Sequence, residues 1–263
     1  MCLIIIAHRA TPRLPLVLAA NRDEFFSRST QQASFWELQP GESKEQQIIA
    51  GKDLVAGGTW LGITRNGRFA AVTNIRDPSQ PEQKLRSRGE LTLNFLSSTV
   101  SAEAYCESLT TQFDQYAGFN LLIGDSTELY YANNLEDLVW NLKPGIYGLS
   151  NGLLDSPWPK VEKGKQRLKD LLETRQEFGT DELIEMMADR SQASDESLPD
   201  TGVSMDLERI LSSAFILNSE RLYGTLCSTA IIADAQGAIQ FCEQNYDSSG
   251  TAQLRHDYEL KQS

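Results

Sequence analysis

The chain is poor in the residues that hold metals. Its 263 residues include two histidines, His8 and His256, and four cysteines, Cys2, Cys106, Cys227 and Cys242, none in a C-x-x-C pair. That argues against a zinc site or any other resident metal. The histidines are also too far apart in sequence to suggest a triad, and His8 reads as a solvated residue at a strand end. Basic residues are short as well: 24 Lys and Arg stand against 36 Asp and Glu, a formal charge of -12. Nucleic acid is therefore not an expected partner, because phosphate binding draws on clustered cations. Long apolar runs are missing. Leu3-Ile4-Ile5-Ile6-Ala7 ends at His8-Arg9, far too short to span a bilayer, so no transmembrane segment is expected. Nothing basic precedes that run and no small-residue cleavage pattern follows it, which makes it a poor signal peptide. Free thiols without a pairing pattern fit a reducing, cytoplasmic setting. Nor does a Pro/Ser/Gly-rich linker or an internal repeat divide the chain, so a single domain over 1–263 is expected.

What is present is a succession of short apolar runs. Cys2 to Ala7 and Leu16 to Ala20 have the length and β-branched content of buried strands, and they form a hairpin leading into Asn21-Arg22-Asp23-Glu24. A loop rich in Gln, Ser and Glu follows from Ser27 to Gln47. Strands are expected at Trp60 to Thr64 and Arg68 to Asn74, turning at Asn66-Gly67. Ser87-Arg88-Gly89-Glu90 matches a capping box ahead of a helix through about Ser97. A second helix runs from Ala102 to about Thr111. Phe119 to Gly124, Leu129 to Ala132, Val139 to Leu142 and Ile146 to Leu149 read as a meander. Pro157 and Pro159 open a long amphipathic helix to about Arg175. The segment 177–209 concentrates carboxylates and reads as a solvated excursion. Ser228 to Ala233 and Ala238 to Glu243 make a last hairpin around Gln236-Gly237. Strands and helices in segregated runs indicate an α+β fold with antiparallel sheets.

Cys2 carries the first chemical hypothesis. If Met1 is removed, its α-amine titrates near neutral pH and serves as base for its own thiol, so no histidine is needed. The plainer reading is a small buried residue opening a strand. Arg22 and Asp23 follow the second strand of the same hairpin and can return to position 2, where a guanidinium favours a thiolate and a carboxylate anchors a cation. A polar turn or a structural ion-pair cluster is the alternative. Gly57-Gly58 suits either backbone donors to an anion or a tight turn, Trp60 and Trp158 either a pocket wall or core.

Met1-Cys2 with Ala19-Ala20-Asn21-Arg22-Asp23-Glu24-Phe25 resembles the signature of the NRDE family, the transport and Golgi organisation protein 2 family. Gly57-Gly58-Thr59-Trp60-Leu61-Gly62-Ile63, Val72-Thr73-Asn74, Ser87-Arg88-Gly89, Gly148-Leu149-Ser150-Asn151, Asp155-Ser156-Pro157-Trp158-Pro159-Lys160-Val161 and Tyr223-Gly224-Thr225 match further family blocks along most of the chain. The resemblance implies a four-layer αββα sandwich similar to the N-terminal-nucleophile hydrolases. By analogy with the conjugated-bile-acid and penicillin V acylases, it implies a nucleophile at Cys2 supported by Arg22 and Asp23, with Asn74 and Asn151 binding an oxyanion. Asn21, Gly58, Thr59, Trp60, Tyr223 and Thr225 are the implied substrate-binding residues. The expected activity is hydrolysis of non-peptide C–N amide bonds in small acyl compounds, without a cofactor. The second expectation is a non-catalytic carrier of a hydrophobic small molecule such as haem or acyl-CoA. One departure stands out: after Tyr223-Gly224-Thr225 the family commonly has an arginine, and here Leu226 takes its place.

Overall fold

The computed structural model describes residues 2–38, 41–79, 84–175 and 177–261. β1 (Cys2–His8) and β2 (Leu16–Phe25) form the hairpin, and every residue of β1 is buried. β2 does not stop at Ala20. Asn21-Arg22-Asp23-Glu24 continues as strand because all four residues pair with a later strand, and Asn21 and Arg22 pair with β1 as well. Sheet pairing here outranks the turn preference of Asn and Asp. β3 (Thr30–Phe35) lies inside the stretch expected to be loop, and β4 (Ile48–Asp53) follows it. Next come β5 (Leu61–Thr64), β6 (Phe69–Asn74), α1 (Gly89–Leu96) and α2 (Ala102–Thr110). β7 (Phe119–Gly124), β8 (Leu129–Asn133), β9 (Leu138–Asn141) and β10 (Gly145–Leu149) form the meander. After α3 (Pro159–Thr174), α4 (Thr180–Met187) and α5 (Met205–Leu211), the chain ends in β11 (Leu217–Asn218), β12 (Tyr223–Ala233), β13 (Ala238–Tyr246) and β14 (Ala252–Lys261).

Among the described residues these strands make two antiparallel sheets. One has the order β10-β1-β2-β12-β13-β14, with β11 on β12; the other keeps chain order from β3 to β9. The period-2 alternation of β1 and β2 decides what each sheet covers. Ile4, Ile6, Leu18 and Ala20 face the second sheet, meeting Ile49, Leu61, Ile63, Phe69 and Leu122. Leu3, Ile5, Val17 and Ala19 face the other way, against Val161 and Leu168 of α3 and Leu183 and Met187 of α4. The outer face of the second sheet packs Val72, Leu121 and Ile123 on Leu91, Phe95 and Cys106 of α1 and α2. Helix, sheet, sheet and helix are thus stacked as an αββα sandwich. A Cβ at Gly164 of α3 would lie 2.7 Å from the Ile5 side chain, so the missing side chain lets α3 lie close on β1.

Three expectations change, and one strand lies beyond those expected. Ser87 does not form a reciprocal capping box: α1 begins after Arg88 without a side-chain cap, and Glu90 pairs with Arg86 at 2.8 Å instead. The acidic segment is not merely solvated, because α4 buries Leu183, Ile184, Met186 and Met187, and α5 buries Glu208 and Leu211. His8 is buried rather than solvated, with neither ring nitrogen hydrogen-bonded among the described residues. Burial, with Arg9 beside it, lowers its pKa and holds it neutral. β14, an edge strand that is almost wholly exposed, has no hydrophobic alternation to announce it.

Gly58 fixes where α1 starts. A Cβ there would lie 2.5 Å from the Gly89 backbone, and Thr59 N–H donates to the Gly89 carbonyl at 3.3 Å. Gly58→Ala is expected to destabilise the fold by about 1–3 kcal/mol, the usual cost of overpacking against rigid backbone. Urea unfolding checks this; a loss below about 0.5 kcal/mol would contradict the close approach.

Candidate active site

Adjacent strands set the site's first row. Cys2 lies opposite Arg22, and Arg22 opposite Cys227 on β12. By alternation Cys2 shares the inter-sheet face with Ile4 and Ile6, so its thiol sits at the end of the gap between the sheets. It is buried, and burial raises its pKa, with Asp23 acting in the same direction and Arg22 against it. The second sheet closes on this end through backbone carbonyls. Ser150 Oγ donates to the Cys2 carbonyl at 2.9 Å, and Thr73 Oγ1 donates to the Ser150 carbonyl at 2.6 Å. Asn151 Nδ2 donates to the Asn74 carbonyl at 2.8 Å, and Arg76 N–H to the Asn151 carbonyl at 2.7 Å. Asn74, Asn151 and Cys2 therefore come together, although β1, β6 and β10 are far apart in sequence.

Asn21 and Asp23 occupy the helix-facing side of the same strand end. Thr225 Oγ1 donates to Asp23 Oδ1 at 2.7 Å and accepts from Ile216 N–H at 2.9 Å. The Tyr223 hydroxyl donates to the Asp23 carbonyl at 3.1 Å. Burial raises the Asp23 pKa, opposed by the positive charge of Lys160. Asn21 Nδ2 donates to the carbonyls of Met187 and Ala214, both at 2.8 Å, and its Oδ1 accepts from Ser228 at 2.6 Å. Asn21, Tyr223 and Thr225 thus hold the site's frame. Gly58 and Thr59 lie elsewhere, at the start of α1, where the Thr59 carbonyl accepts from Thr92 and its hydroxyl donates to the Leu61 carbonyl at 2.9 Å. Trp60 is half-buried and packs against the inter-sheet core and the α1/α2 core.

The site also gathers residues that sequence reasoning did not single out. Arg76 forms a buried 2.8 Å ion pair with Glu208 of α5, and its guanidinium lies 4.9 Å from the Trp158 ring centre. Lys160, in the first turn of α3, is 4 % exposed, and its ammonium has no hydrogen-bond partner among the described residues. Burial brings its pKa down to about 8, although Asp23 pulls the other way. The position of Lys160 in Pro157-Trp158-Pro159-Lys160 was a usable signal, since prolines fix a helix start and so the place of the next side chain. Nothing local marks Glu208. Leu226 is the extra residue of a β-bulge between Thr225 and Cys227, a device that re-aims the side chains beside it.

Comparison with known proteins places this architecture. The sequence profile of a family described as Transport and Golgi organisation 2 matches residues 1–248. The chain belongs to that family. It is 35 % identical over 263 aligned residues to the mouse Transport and Golgi organization 2 homolog, covering 93 % of each chain. It is 25 % identical to the Drosophila melanogaster Transport and Golgi organization protein 2, over 93 % of this chain and 92 % of that one. Among solved structures it resembles a mutant conjugated bile acid hydrolase from Clostridium perfringens, with a TM-score of 0.55 at 9 % identity over 99 % and 92 % of the two chains. It also resembles a Caenorhabditis elegans N-acylethanolamine-hydrolyzing acid amidase ortholog, with a TM-score of 0.52 at 10 % identity over 88 % and 92 %. At such identities the likeness shows the fold alone: this Transport and Golgi organisation 2 family member has the N-terminal-nucleophile hydrolase architecture.

Lys160 makes this family member's stability depend on pH. It binds fewer protons folded than unfolded between about pH 8 and its ordinary 10.5. The folded state is therefore penalised below pH 8 and gains stability as pH rises through that window. Lys160→Met is expected to be more stable than the parent at pH 7, by up to about 3 kcal/mol, with the gap closing toward pH 10.5. Urea unfolding at pH 7 and pH 10 checks the sign; a variant less stable at pH 7 would contradict an uncompensated buried ammonium.

Proposed function

We propose that Cys2 hydrolyses non-peptide C–N amide bonds in small acyl compounds. The observation that carries this reading is the row formed by Cys2 and Arg22 at the end of the inter-sheet gap, with buried Asp23 next on β2 and the Asn74–Asn151 pair beside it. The architecture is that of proteins described as an N-acylethanolamine-hydrolyzing acid amidase and a conjugated bile acid hydrolase, and hydrolytic chemistry is carried over here as part of the proposal.

The proposed reaction begins once Met1 is removed. The raised pKa of the buried thiol means that it needs a base, and the α-amine of Cys2 is the nearest covalently placed one. The amine takes the thiol proton, and Sγ bonds to the amide carbonyl carbon. The tetrahedral oxyanion is met by Asn151, whose Nδ2 spends one N–H on the Asn74 carbonyl and keeps a second, and by Asn74 at the exposed end of β6. The C–N bond then breaks, and the leaving nitrogen carries the proton away. Water adds to the thioester and releases the acid, restoring the thiol. Arg22 and Asp23 hold the charges around the nucleophile. No cofactor enters these steps.

Haem or acyl-CoA as cargo finds less support. The two cavities bordering Lys160 are about 110 and 10 Å³, whereas a drug-sized ligand takes roughly 300 Å³ or more. Neither encloses such a molecule.

The test uses protein from its own host, checked by intact mass for a chain starting at Cys2, and a panel of N-acyl amides. Cys2→Ala is expected to lose turnover completely, and Asn151→Ala to lose about 10²–10³-fold in kcat, the usual cost of one oxyanion donor. Undiminished turnover by Cys2→Ala, or a mature chain that keeps Met1, would overturn the proposal.

A further inference from the structure

α5 lies in the acidic segment and is only seven residues long, yet one of its side chains reaches the candidate site. Glu208 is 3 % exposed. Its Oε2 accepts from Arg76 Nη1 at 2.8 Å, and its Oε1 accepts from Thr201 N–H at 3.0 Å and from the Thr201 hydroxyl. Arg76 Nη1 also donates to Thr201 Oγ1 at 3.2 Å. Burial lowers the Arg76 pKa, and Glu208 is the largest influence opposing it. A buried pair of this kind adds little net stability over an apolar pair of the same shape, whereas removing one partner leaves the other charge uncompensated.

What the pair holds in place is Asn151. β6 ends at Asn74, so the strand ladder does not extend to Arg76. The Arg76 guanidinium is fixed by Glu208, and its backbone N–H donates to the Asn151 carbonyl at 2.7 Å. Two residues earlier, the Asn74 carbonyl accepts from Asn151 Nδ2 at 2.8 Å. The stretch 74–76 therefore grips Asn151 by main chain and side chain together. Trp158 supports the next residue. Its ring centre lies 4.9 Å from the Arg76 guanidinium, and a Cβ on Gly152 would come within 3.0 Å of the same indole. A shift of the Arg76 side chain is thus passed to 151–152 from two directions.

We propose that Glu208 is a positioning residue for the oxyanion pair: through Arg76 it sets where Asn151 presents the second hydrogen of Nδ2. A donor of this kind works only within about 0.5 Å of its productive place, so the ion pair on α5 governs how well the oxyanion is met. The catalytic consequence rests on the hydrolase reading above; the placement of Asn151 does not. Glu208 acts through Arg76 and is not itself a catalytic residue.

The experiment compares the full mature chain with Glu208→Gln, which keeps the size of the side chain and removes its charge. One readout is the ¹H–¹⁵N signal of the Asn151 side-chain amide together with the Arg76 backbone amide, which needs no turnover. Both are expected to shift. The other is steady-state kinetics on N-acyl amides, where kcat and kcat/KM are expected to fall together by about 10–100-fold with KM unchanged. Thr201→Val removes one bond to each member of the pair and is expected to give the same changes in smaller size; it serves if Glu208→Gln does not fold. Phe95→Leu, which loosens the core under α1, controls for lost stability and is expected to leave the Asn151 signal and kcat as they are in the parent. If no amide is turned over, the hydrolase reading fails and the amide signals alone decide this one. An unmoved Asn151 signal in the folded variants, or a loss of kcat no larger than that of Phe95→Leu, would overturn the proposal.

Discussion

Two polar side chains buried at the end of β2 organise this molecule. Asn21 and Asp23 point away from the inter-sheet gap into a region that water does not reach, and a buried amide or carboxylate without partners costs several kcal/mol. Their partners come from elements late in the chain. Asn21 takes the carbonyls of Met187 and Ala214, so it fastens both ends of the α4–α5 segment to β2. Asp23 takes the Thr225 hydroxyl, which itself accepts from Ile216. Arg76 and Glu208 add a third tie between α5 and the strand-end carbonyls. Satisfying β2 therefore builds the cover over the site. The same strand, on its other face, holds Arg22 against Cys2.

The charges follow from that packing. Bringing α5 and the first turn of α3 over the strand ends buries Arg76, Glu208, Asp23 and Lys160 within one region. Arg76 and Glu208 neutralise each other, whereas the Lys160 ammonium has no hydrogen-bond partner among the described residues, Asp23 being the main charge that acts on it. A fold selected for stability alone would replace such an ammonium with an apolar side chain. Its presence beside the strand that carries Cys2 fits the concentration of perturbed groups at functional sites.

The sequence was legible wherever local pattern and tertiary role agree. β1, the first half of β2, the β7–β10 meander and α3 show buried runs or helical periodicity, and the structure has them. Arg22 and Asp23 stood out because family blocks and topology point to one strand end. Asn21-Arg22-Asp23-Glu24 as strand was not legible, since its extension depends on β12, two hundred residues away. β3 and β14 are polar edge strands whose hydrogen bonds, not side chains, define them. The packing of the acidic segment escaped for a related reason: α4 is amphipathic over only eight residues, and Glu208 acquires its role from Arg76. Lys160 was visible as a residue but not as a buried charge, because burial comes from α5 and β2 together.

The central claim is that Cys2, alone among four buried free thiols, is placed to attack a carbonyl. The most direct measurement is peptide mapping after treatment of the mature chain with a β-lactone acylating probe, quantifying the adduct at Cys2, Cys106, Cys227 and Cys242. The account predicts stoichiometric acylation at Cys2, with the other three unmodified until the fold is lost. Acylation spread over Cys106, Cys227 or Cys242 at comparable rates, or none at Cys2 in a chain that begins there, would contradict it.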